Sequence, residues 1–232
     1  MASAGSRGLA PTANIFLVAA LALGGCTAAQ LHTARTTPVG QHDVTLGIGY
    51  LHNELIGERG GRSAENTPVQ IAYRTGVSER VDVGARMILG DGLLGDVRYG
   101  FLEPGSPLQV SLGLGVGFGG WLGQEGAVSV TAPIVAMVSY DADDVVTPYL
   151  GVGWAFWWHL GRRPEYDDPD ATYAAREGHG DGVLTALVGV ALRASSKVSV
   201  LLEYDFSTQV VDDPGDFFSM VDTHVVAAGL TF

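Results

Sequence analysis

The sequence predicts an all-β chain that forms an antiparallel up-and-down transmembrane β-barrel of about ten strands, within a range of about eight to twelve. After the N-terminal region, apolar residues alternate with small or polar ones, the period of strands with one apolar face. Hydrophobic residues make up 47% of the 232 residues and charged residues 16%, below the roughly 25% of an ordinary soluble domain. The mean hydropathy is +0.22, yet no stretch reaches the roughly 18 apolar residues that a spanning helix requires.

Net charge and cysteine content exclude several classes of function. The formal net charge is −12, which argues against a nucleic acid as partner. Cys26 is the single cysteine, so neither an intrachain disulfide nor a cysteine-based zinc site can form. No motif requires a cofactor or a metal, and none is expected.

The N-terminal residues 1–25 have the pattern of a secretory signal peptide. Arg7 is followed by the short apolar run Ile15–Leu23, which is too short to cross a bilayer. The run leads into Leu23-Gly24-Gly25-Cys26, which resembles the bacterial lipobox. That resemblance implies cleavage before Cys26 and acylation of its sulfur. The alternative is an ordinary signal peptide with an incidental cysteine.

The rest of the chain divides into two parts. Residues 26–41 are small and polar and are predicted to be the lipidated N-terminus and a tether, and residues 42–232 the barrel. Thr27 follows the cysteine; in the lipoprotein family an aspartate there retains the protein at the inner membrane. Its absence implies transport to the bacterial outer membrane, with the lipid anchor on the periplasmic side.

The alternation places the strands in order along the chain. The clearest run is Leu108–Phe118, in which leucine, valine and phenylalanine alternate with glycine, serine and glutamine. The predicted strands lie at about 44–50, 69–73, 83–89, 97–101, 108–118, 127–140, 145–159, 183–193, 198–208 and 221–232.

The connections alternate in length, as in outer-membrane barrels. The short ones are Val77–Arg80, Glu103–Pro107, Asp141–Asp144 and Ala194–Lys197. The other side has the tight Gly90–Gly92 and four longer links, His52–Asn66, Gly119–Gln124, Leu160–Asp181 and Gln209–Phe218. An even strand number puts both termini at the short-turn, periplasmic end.

The composition of the two faces predicts that the apolar face contacts lipid. The opposite face is mostly glycine, alanine, serine and threonine, which suits a crowded lumen better than a soluble exterior. Tyrosines and phenylalanines lie near strand ends on the apolar parity, as in interfacial girdles.

The last strand carries a second resemblance. Its alternate residues end in Leu230 and Phe232, and this resembles the C-terminal assembly signal of small outer-membrane β-barrel proteins. The resemblance implies barrel-assembly and lipoprotein-sorting machinery as partners, outer-membrane lipid as surroundings, and a monomer.

Seven charged residues lie on the lumen parity and are predicted to form a network. Turn-centred pairing places Arg74 opposite Asp82 and Asp96 opposite Arg86, with Arg98 diagonal to Asp82 and Arg86. A confined charge needs a partner, so a structural network is expected; a selectivity ring of a narrow pore is the alternative. The set is Arg74, Asp82, Arg86, Asp96, Arg98, Glu203 and Asp205.

Other motifs carry weaker signals. The string Gly115–Gly120 matches a dinucleotide fingerprint, but no helix follows it. His159 precedes loop carboxylates of the kind a hydrolase uses, although no serine motif accompanies it. The acidic clusters at 165–170 and 212–216 do not fit a calcium loop. The aromatic run at 154–158 is typical of a membrane belt, and a ligand-stacking site is the alternative.

The function predicted from these observations is that of a non-catalytic, lipid-anchored outer-membrane barrel with an envelope-structural or porin-like, narrow-pore role in a Gram-negative bacterium. Two alternatives stay open. One is a barrel hydrolase that acts on lipid or peptide through a loop histidine, and the other is a lipid-tethered soluble barrel in the periplasm.

Acylation of Cys26 can be tested directly. Metabolic labelling with a palmitate analogue should mark the unmodified chain and not Cys26→Ala, because the thiol is the only acceptor of its kind in the sequence. Equal labelling of the two chains would show that the lipobox resemblance is incidental.

Overall fold

The protein is an all-β barrel. The computed structural model describes residues 29–55, 62–90, 92–119, 128–141, 143, 145–160, 180–210 and 221–232. The strands are β1 (His42–Leu55), β2 (Arg62–Asn66), β3 (Val69–Ser78), β4 (Val81–Ile88), β5 (Gly92–Gly100), β6 (Leu108–Gly119), β7 (Val128–Tyr140), β8 (Val146–Leu160), β9 (Gly180–Arg193), β10 (Ser199–Val210) and β11 (Val221–Thr231).

Every strand pairs antiparallel with its neighbours, and the sheet closes between its first and last strands. β11 pairs with β1 over eleven residue pairs, from Thr45↔Thr231 to Leu55↔Val221. Closure leaves no free edge, so the backbone groups of the wall are satisfied within the sheet, as a bilayer interior requires.

β2 and β3 together form one strand of the wall. Both pair with β1 in the same register, and only Thr67 and Pro68 interrupt them. Pro68 has no N–H to give to the ladder, but its carbonyl still accepts from Gly49 N at 2.9 Å. The barrel therefore has ten strands, as predicted, although eleven segments are counted along the chain.

The two faces of the wall differ in the predicted sense. Two adjacent residues of β11 show this, because Val225 is fully buried whereas Val226 is 58% exposed. Leu150, Val152 and Val188 are likewise more than half exposed, whereas Asp82 is fully buried inside. The apolar parity thus points outwards and the polar parity points into the lumen.

Aromatic side chains border the apolar band at both ends. Tyr99, Phe101 and Tyr140 are exposed near the short turns, and Phe156 and Trp158 are exposed near the long-loop end. In the 154–158 run, Trp157 departs from the expected belt because it lies on the inward parity and is only 2% exposed.

The wall is uneven in height. β4 and β5 have 8 and 9 residues, whereas β8 and β9 on the far side have 15 and 14. The long links also begin later than expected. Residues 52–55 and 62–66 are strand rather than loop, because the hairpin of β1 and β2 continues its ladder above the rim of β3.

No helix among the described residues is long and apolar enough to cross a membrane.

The layout predicts which connections face the cell exterior. Protease applied to intact cells should cleave between residues 160 and 181, the longest link on the long-loop side, and should spare Ala194–Lys197 at the other end. Cleavage can be mapped by mass spectrometry of the fragments. Preferential cleavage at Ala194–Lys197 would mean that the barrel is inserted in the opposite orientation.

Candidate functional site in the barrel lumen

The predicted lumen charges all lie on the inner wall. Asp82, Arg98, Glu203 and Asp205 are between 0% and 4% exposed, and Arg86 is 9% exposed. The side chains of Arg74 and Asp96 are 11% and 16% exposed. The alternation of the strands is sufficient to place them there, because a strand directs every second side chain to the same face.

Four charged residues on β3, β4 and β5 form one connected cluster, namely Arg74, Asp82, Asp96 and Arg98. Arg74 forms ion pairs with both Asp82 and Asp96. Arg98 contacts the second oxygen of Asp82 through Nη2 at 2.6 Å and through Nε at 3.2 Å. Asp82 therefore bridges two guanidinium groups, and each arginine of this cluster faces a carboxylate.

The register predicted for this cluster was wrong by two residues. Arg74 lies opposite Gly84 rather than Asp82, Asp96 also lies opposite Gly84, and Arg86 lies opposite Leu94. A bulge between Gly76 and Ser78 shifts the first hairpin, and the second turn is centred on Gly90.

Gly84 explains why Arg74 still reaches both aspartates. A Cβ atom at Gly84 would lie 2.8 Å from Arg74 Nη2 and 2.8 Å from Asp96 Oδ1. Because this position has no side chain, the guanidinium occupies the space between the two carboxylates.

A second component of the lumen is a segment of the chain itself. Residues Ala29–Pro38, here called the luminal segment, run inside the barrel, whereas the sequence predicted a tether there. Ala29, Leu31, Ala34 and Thr37 are each at most 3% exposed. The segment leaves the lumen at the short-turn end, where Gly40 N donates to Gly76 O at 3.2 Å.

The arginines of the wall donate to main-chain carbonyls of the luminal segment. Arg86 Nη1 donates to Ala29 O at 2.7 Å, and Gln70 Nε2 donates to the same oxygen at 3.0 Å. Arg98 donates to Thr33 O and, through Nη2, to Arg35 O at 2.6 Å.

The carboxylates of the wall accept from main-chain N–H groups of the same segment. Leu31 N donates to both oxygens of Glu203, at 3.0 and 3.2 Å. Thr37 N donates to Asp82 Oδ2 at 2.8 Å. Asp82 is paired with two arginines, and hydrogen bonds to an ionised partner are about twice as strong as neutral ones, so the contact with Thr37 N holds this end of the segment firmly.

Leu31 is the side chain that anchors the segment. It is 1% exposed, and its Cδ1 occupies space that a Cβ atom at Gly47 or Gly229 would take, at 2.3 and 3.1 Å. Its φ of 47° lies in the left-handed region, which costs a leucine about 1–3 kcal/mol. The hydrogen bond to Glu203 and the pocket therefore hold Leu31 in a strained backbone conformation.

Side chains of the segment add further contacts. Gln30 Oε1 accepts from Arg86 at 3.2 Å, and Thr37 Oγ1 donates to Asp43 at 2.7 Å. Arg35 forms an ion pair with Asp141 in the turn between β7 and β8. The contacts of Thr37 and Arg35 connect the segment to both sides of the lumen at the short-turn end.

His32 lies among the arginines and is uncharged at neutral pH. Its burial, together with the guanidinium groups of Arg98, Arg74 and Arg86, holds the pKa of His32 well below its usual value. The neutral ring accepts from Arg98 Nη1 at 3.0 Å through Nδ1.

Glu203 and Asp205 are inward neighbours on β10, across the lumen from the arginines. Arg86 faces this pair from β4, and Glu203 accepts from Leu31 N, so the luminal segment lies between Arg86 and the two carboxyl groups. An inner wall that presents both hydrogen-bond donors and acceptors can bind a peptide main chain, which carries both kinds of group.

Several candidate residues from the sequence lie outside the described residues. These are Cys26, the acidic clusters at 165–170 and 212–216, and the side chain of His159. Where the structure describes the chain, no three histidine, cysteine, aspartate or glutamate side chains are arranged to hold a metal.

Leu230 and Phe232 lie on the outward face of the last strand. They are 47% and 53% exposed, and the main chain of Phe232 exchanges two hydrogen bonds with Val44, at 2.9 and 3.0 Å. Their role as an assembly signal stays a prediction.

Comparisons with known proteins identify solved barrels only. No family model and no curated protein matches the chain. The chain is similar to neisserial surface protein A, at 14% identity over 81% of this chain and 95% of that one, with a TM-score of 0.41. It is similar to the outer membrane protease OmpT from Escherichia coli, at 10% identity over 83% and 96%, with a TM-score of 0.47. For the attachment invasion locus protein Ail of Yersinia pestis, the identity is 15% over 83% and 99%, with a TM-score of 0.34. At these identities the likeness concerns the fold alone.

Removing one partner of the buried Asp82–Arg98 pair should strongly destabilise the wall. Asp82→Asn should lower the free energy of unfolding by about 3–5 kcal/mol, because Arg98 is then left buried without its carboxylate. Arg98→Met added to Asp82→Asn should recover part of this loss. The measurement is unfolding of the refolded barrel in detergent for both single variants and the double variant.

The control is Glu103→Gln, which makes the same carboxylate-to-amide change at an exposed residue between β5 and β6. It should leave the unfolding transition nearly unchanged. A double variant that loses the sum of the two single losses would show that Asp82 and Arg98 are not coupled.

Proposed function

We propose that this protein is a non-catalytic outer-membrane β-barrel protein whose lumen is closed by its own N-terminal segment, and that it serves the structure of a Gram-negative envelope. The observation that carries the proposal is the luminal segment, which is buried and bonded to Arg86, Arg98, Asp82 and Glu203.

The exterior of the barrel supports a membrane location over the soluble periplasmic alternative. A soluble barrel would turn charged residues outwards, at roughly 25–35% of its surface. This wall instead exposes leucine, valine and phenylalanine in a band, with Leu114, Val116 and Phe118 each at least 50% exposed on β6 alone. Water would meet a continuous apolar surface, which a lipid bilayer covers favourably.

The lumen supports a closed barrel over an open pore. An arginine or aspartate that lines an open pore is solvated by water. Arg98 and Asp82 instead form an ion pair with each other and hydrogen bonds with the luminal segment. A narrow-pore role therefore requires that the segment first leaves the lumen.

Lipid anchoring of Cys26 at the periplasmic leaflet is part of the proposal and depends on the state of the segment. Ala29 contacts Gln70 and Arg86, and Arg86 lies five residues along β4 from its short-turn end at Val81. At a strand tilt of about 45° that depth lies about 12 Å from the rim, close to the ~11 Å that three extended residues span. Anchoring at the rim therefore limits how deeply Ala29 can sit in the lumen.

The hydrolase alternative has no supporting contact among the described residues. The described histidine beside an acid is His52, whose Nδ1 lies 3.9 Å from Glu65 Oε1 on the outward face. Nothing at that site supplies a nucleophile or an enclosed cleft.

Displacement of the luminal segment should open the barrel. In planar bilayers the refolded full chain should show little conductance, and Leu31→Asp/Ala34→Asp should conduct steadily. Both changes put a carboxylate at a position that is at most 1% exposed, and the one at Leu31 would lie in the apolar space beside Gly47 and Gly229, so the seated state is destabilised.

The matched control is Val39→Asp/Gln41→Asp, which adds the same two charges at exposed positions of the same stretch. It should remain as closed as the unmodified chain. Circular dichroism should show the same strand content for all three proteins. If Leu31→Asp/Ala34→Asp folds and stays closed, then something other than the luminal segment closes the barrel.

A further inference from the structure

We propose that the lumen is a binding channel for peptides in trans, approached from the periplasmic end, with the luminal segment as its resident occupant. This inference rests on the proposed function, because a second peptide can bind only when the resident segment is displaced.

The contacts that hold the resident segment are mainly to its main chain. Carbonyl oxygens of Ala29, Thr33 and Arg35 accept from the wall, and N–H groups of Leu31 and Thr37 donate to it. Every peptide carries these main-chain groups, so a site that binds them accepts many sequences.

The bonded residues alternate along the segment. Positions 29, 31, 33, 35 and 37 contact the wall through main-chain groups, which is every second residue. The main chain bends as it passes, with Leu31 in the left-handed region, so its groups reach β4 and β5 on one side and β10 on the other. Charged side chains from several strands, rather than one neighbouring strand, therefore bind the main chain.

The charges of the wall match a peptide better than they match an ion. A cation site would present carboxylates, and an anion site would present guanidinium groups. In this lumen Arg86 and Arg98 donate to carbonyl oxygens, and Glu203 and Asp82 accept from N–H groups, all within residues 29–37.

Two side-chain positions set a preference. Leu31 fills the space beside Gly47 and Gly229, and Ala34 is fully buried. A peptide with an aliphatic residue three places before a small one therefore fits the channel. The contacts of Gln30, His32 and Arg35 favour the resident segment over other peptides.

A route for approach exists at the short-turn end. A cleft of about 540 Å³ lies beside the luminal segment, between the turns that follow β3 and β5. Arg35, Thr36 and Pro38 line one side, and Glu79, Arg80 and Glu103 line the other. The polar rim suits a peptide that arrives from the periplasm.

The test uses the full-length Leu31→Asp/Ala34→Asp protein and three synthetic peptides. The first has the sequence of residues 29–38. The second has the same sequence with N-methyl groups on the nitrogens that correspond to Leu31 and Thr37. The third is polyserine of the same length with leucine, alanine and proline at the positions of Leu31, Ala34 and Pro38. Binding is measured by fluorescence anisotropy of labelled peptide and by block of conductance.

The first and third peptides should both bind and block. The N-methylated peptide should bind at least about ten-fold more weakly, because the hydrogen bonds to Glu203 and Asp82 are lost. A control with the methyl groups moved to the nitrogens of His32 and Thr36, which fall between the bonded residues, should bind nearly as well as the first.

Each contrary outcome has a separate meaning. If the first peptide binds and the polyserine peptide does not, the lumen is dedicated to its own segment, and the inference is overturned while the proposed function stands. If N-methylation at Leu31 and Thr37 has no effect, main-chain recognition is wrong. If the unliganded variant never conducts, the proposed function fails, and the anisotropy still decides whether the lumen binds peptide.

Discussion

The carboxylate of Asp82 connects the wall of the barrel with what the wall encloses. One oxygen pairs with Arg74, and the other pairs with Arg98 and accepts from Thr37 N. Arg98 in turn donates to the carbonyls of Thr33 and Arg35. Charge balance in the wall and placement of the luminal segment therefore depend on one fully buried side chain, and neither is independent of the other.

The sequence was sufficient to predict the strands and their faces. Alternation is a local property, so each strand places its own side chains inwards or outwards whatever its neighbours do. That is why Val225 and Val226, or Asp96 and Val97, are assigned correctly from the printed order alone. Pairing between strands is less local. The bulge at Gly76–Ser78 shifts the register between β3 and β4, and no residue type in that turn indicates a bulge.

The luminal segment could not be recognised from its own residues. Residues 29–38 show neither the apolar period of a strand nor that of a helix. They are rich in threonine and alanine, a composition that is typical of linkers. A signal did exist elsewhere. When many inward positions of a ten-stranded barrel are glycine, its inner side chains do not fill the space that the wall encloses. Gly47, Gly76 and Gly229 lie where the segment passes. A Cβ atom at Gly76 would lie 2.2 Å from Pro38 O, so the wall is shaped around the segment.

The uneven height of the wall has a consequence for the surrounding bilayer. At about 3.4 Å per residue and a tilt of about 45°, the eight residues of β4 span roughly 19 Å, less than the ~25 Å apolar band of a typical outer-membrane barrel. On the far side β8 has 15 residues and exceeds it. Lipids that pack beside β4 and β5 must shorten or tilt to cover the short side, so the protein carries with it a patch of thinned membrane on one flank only.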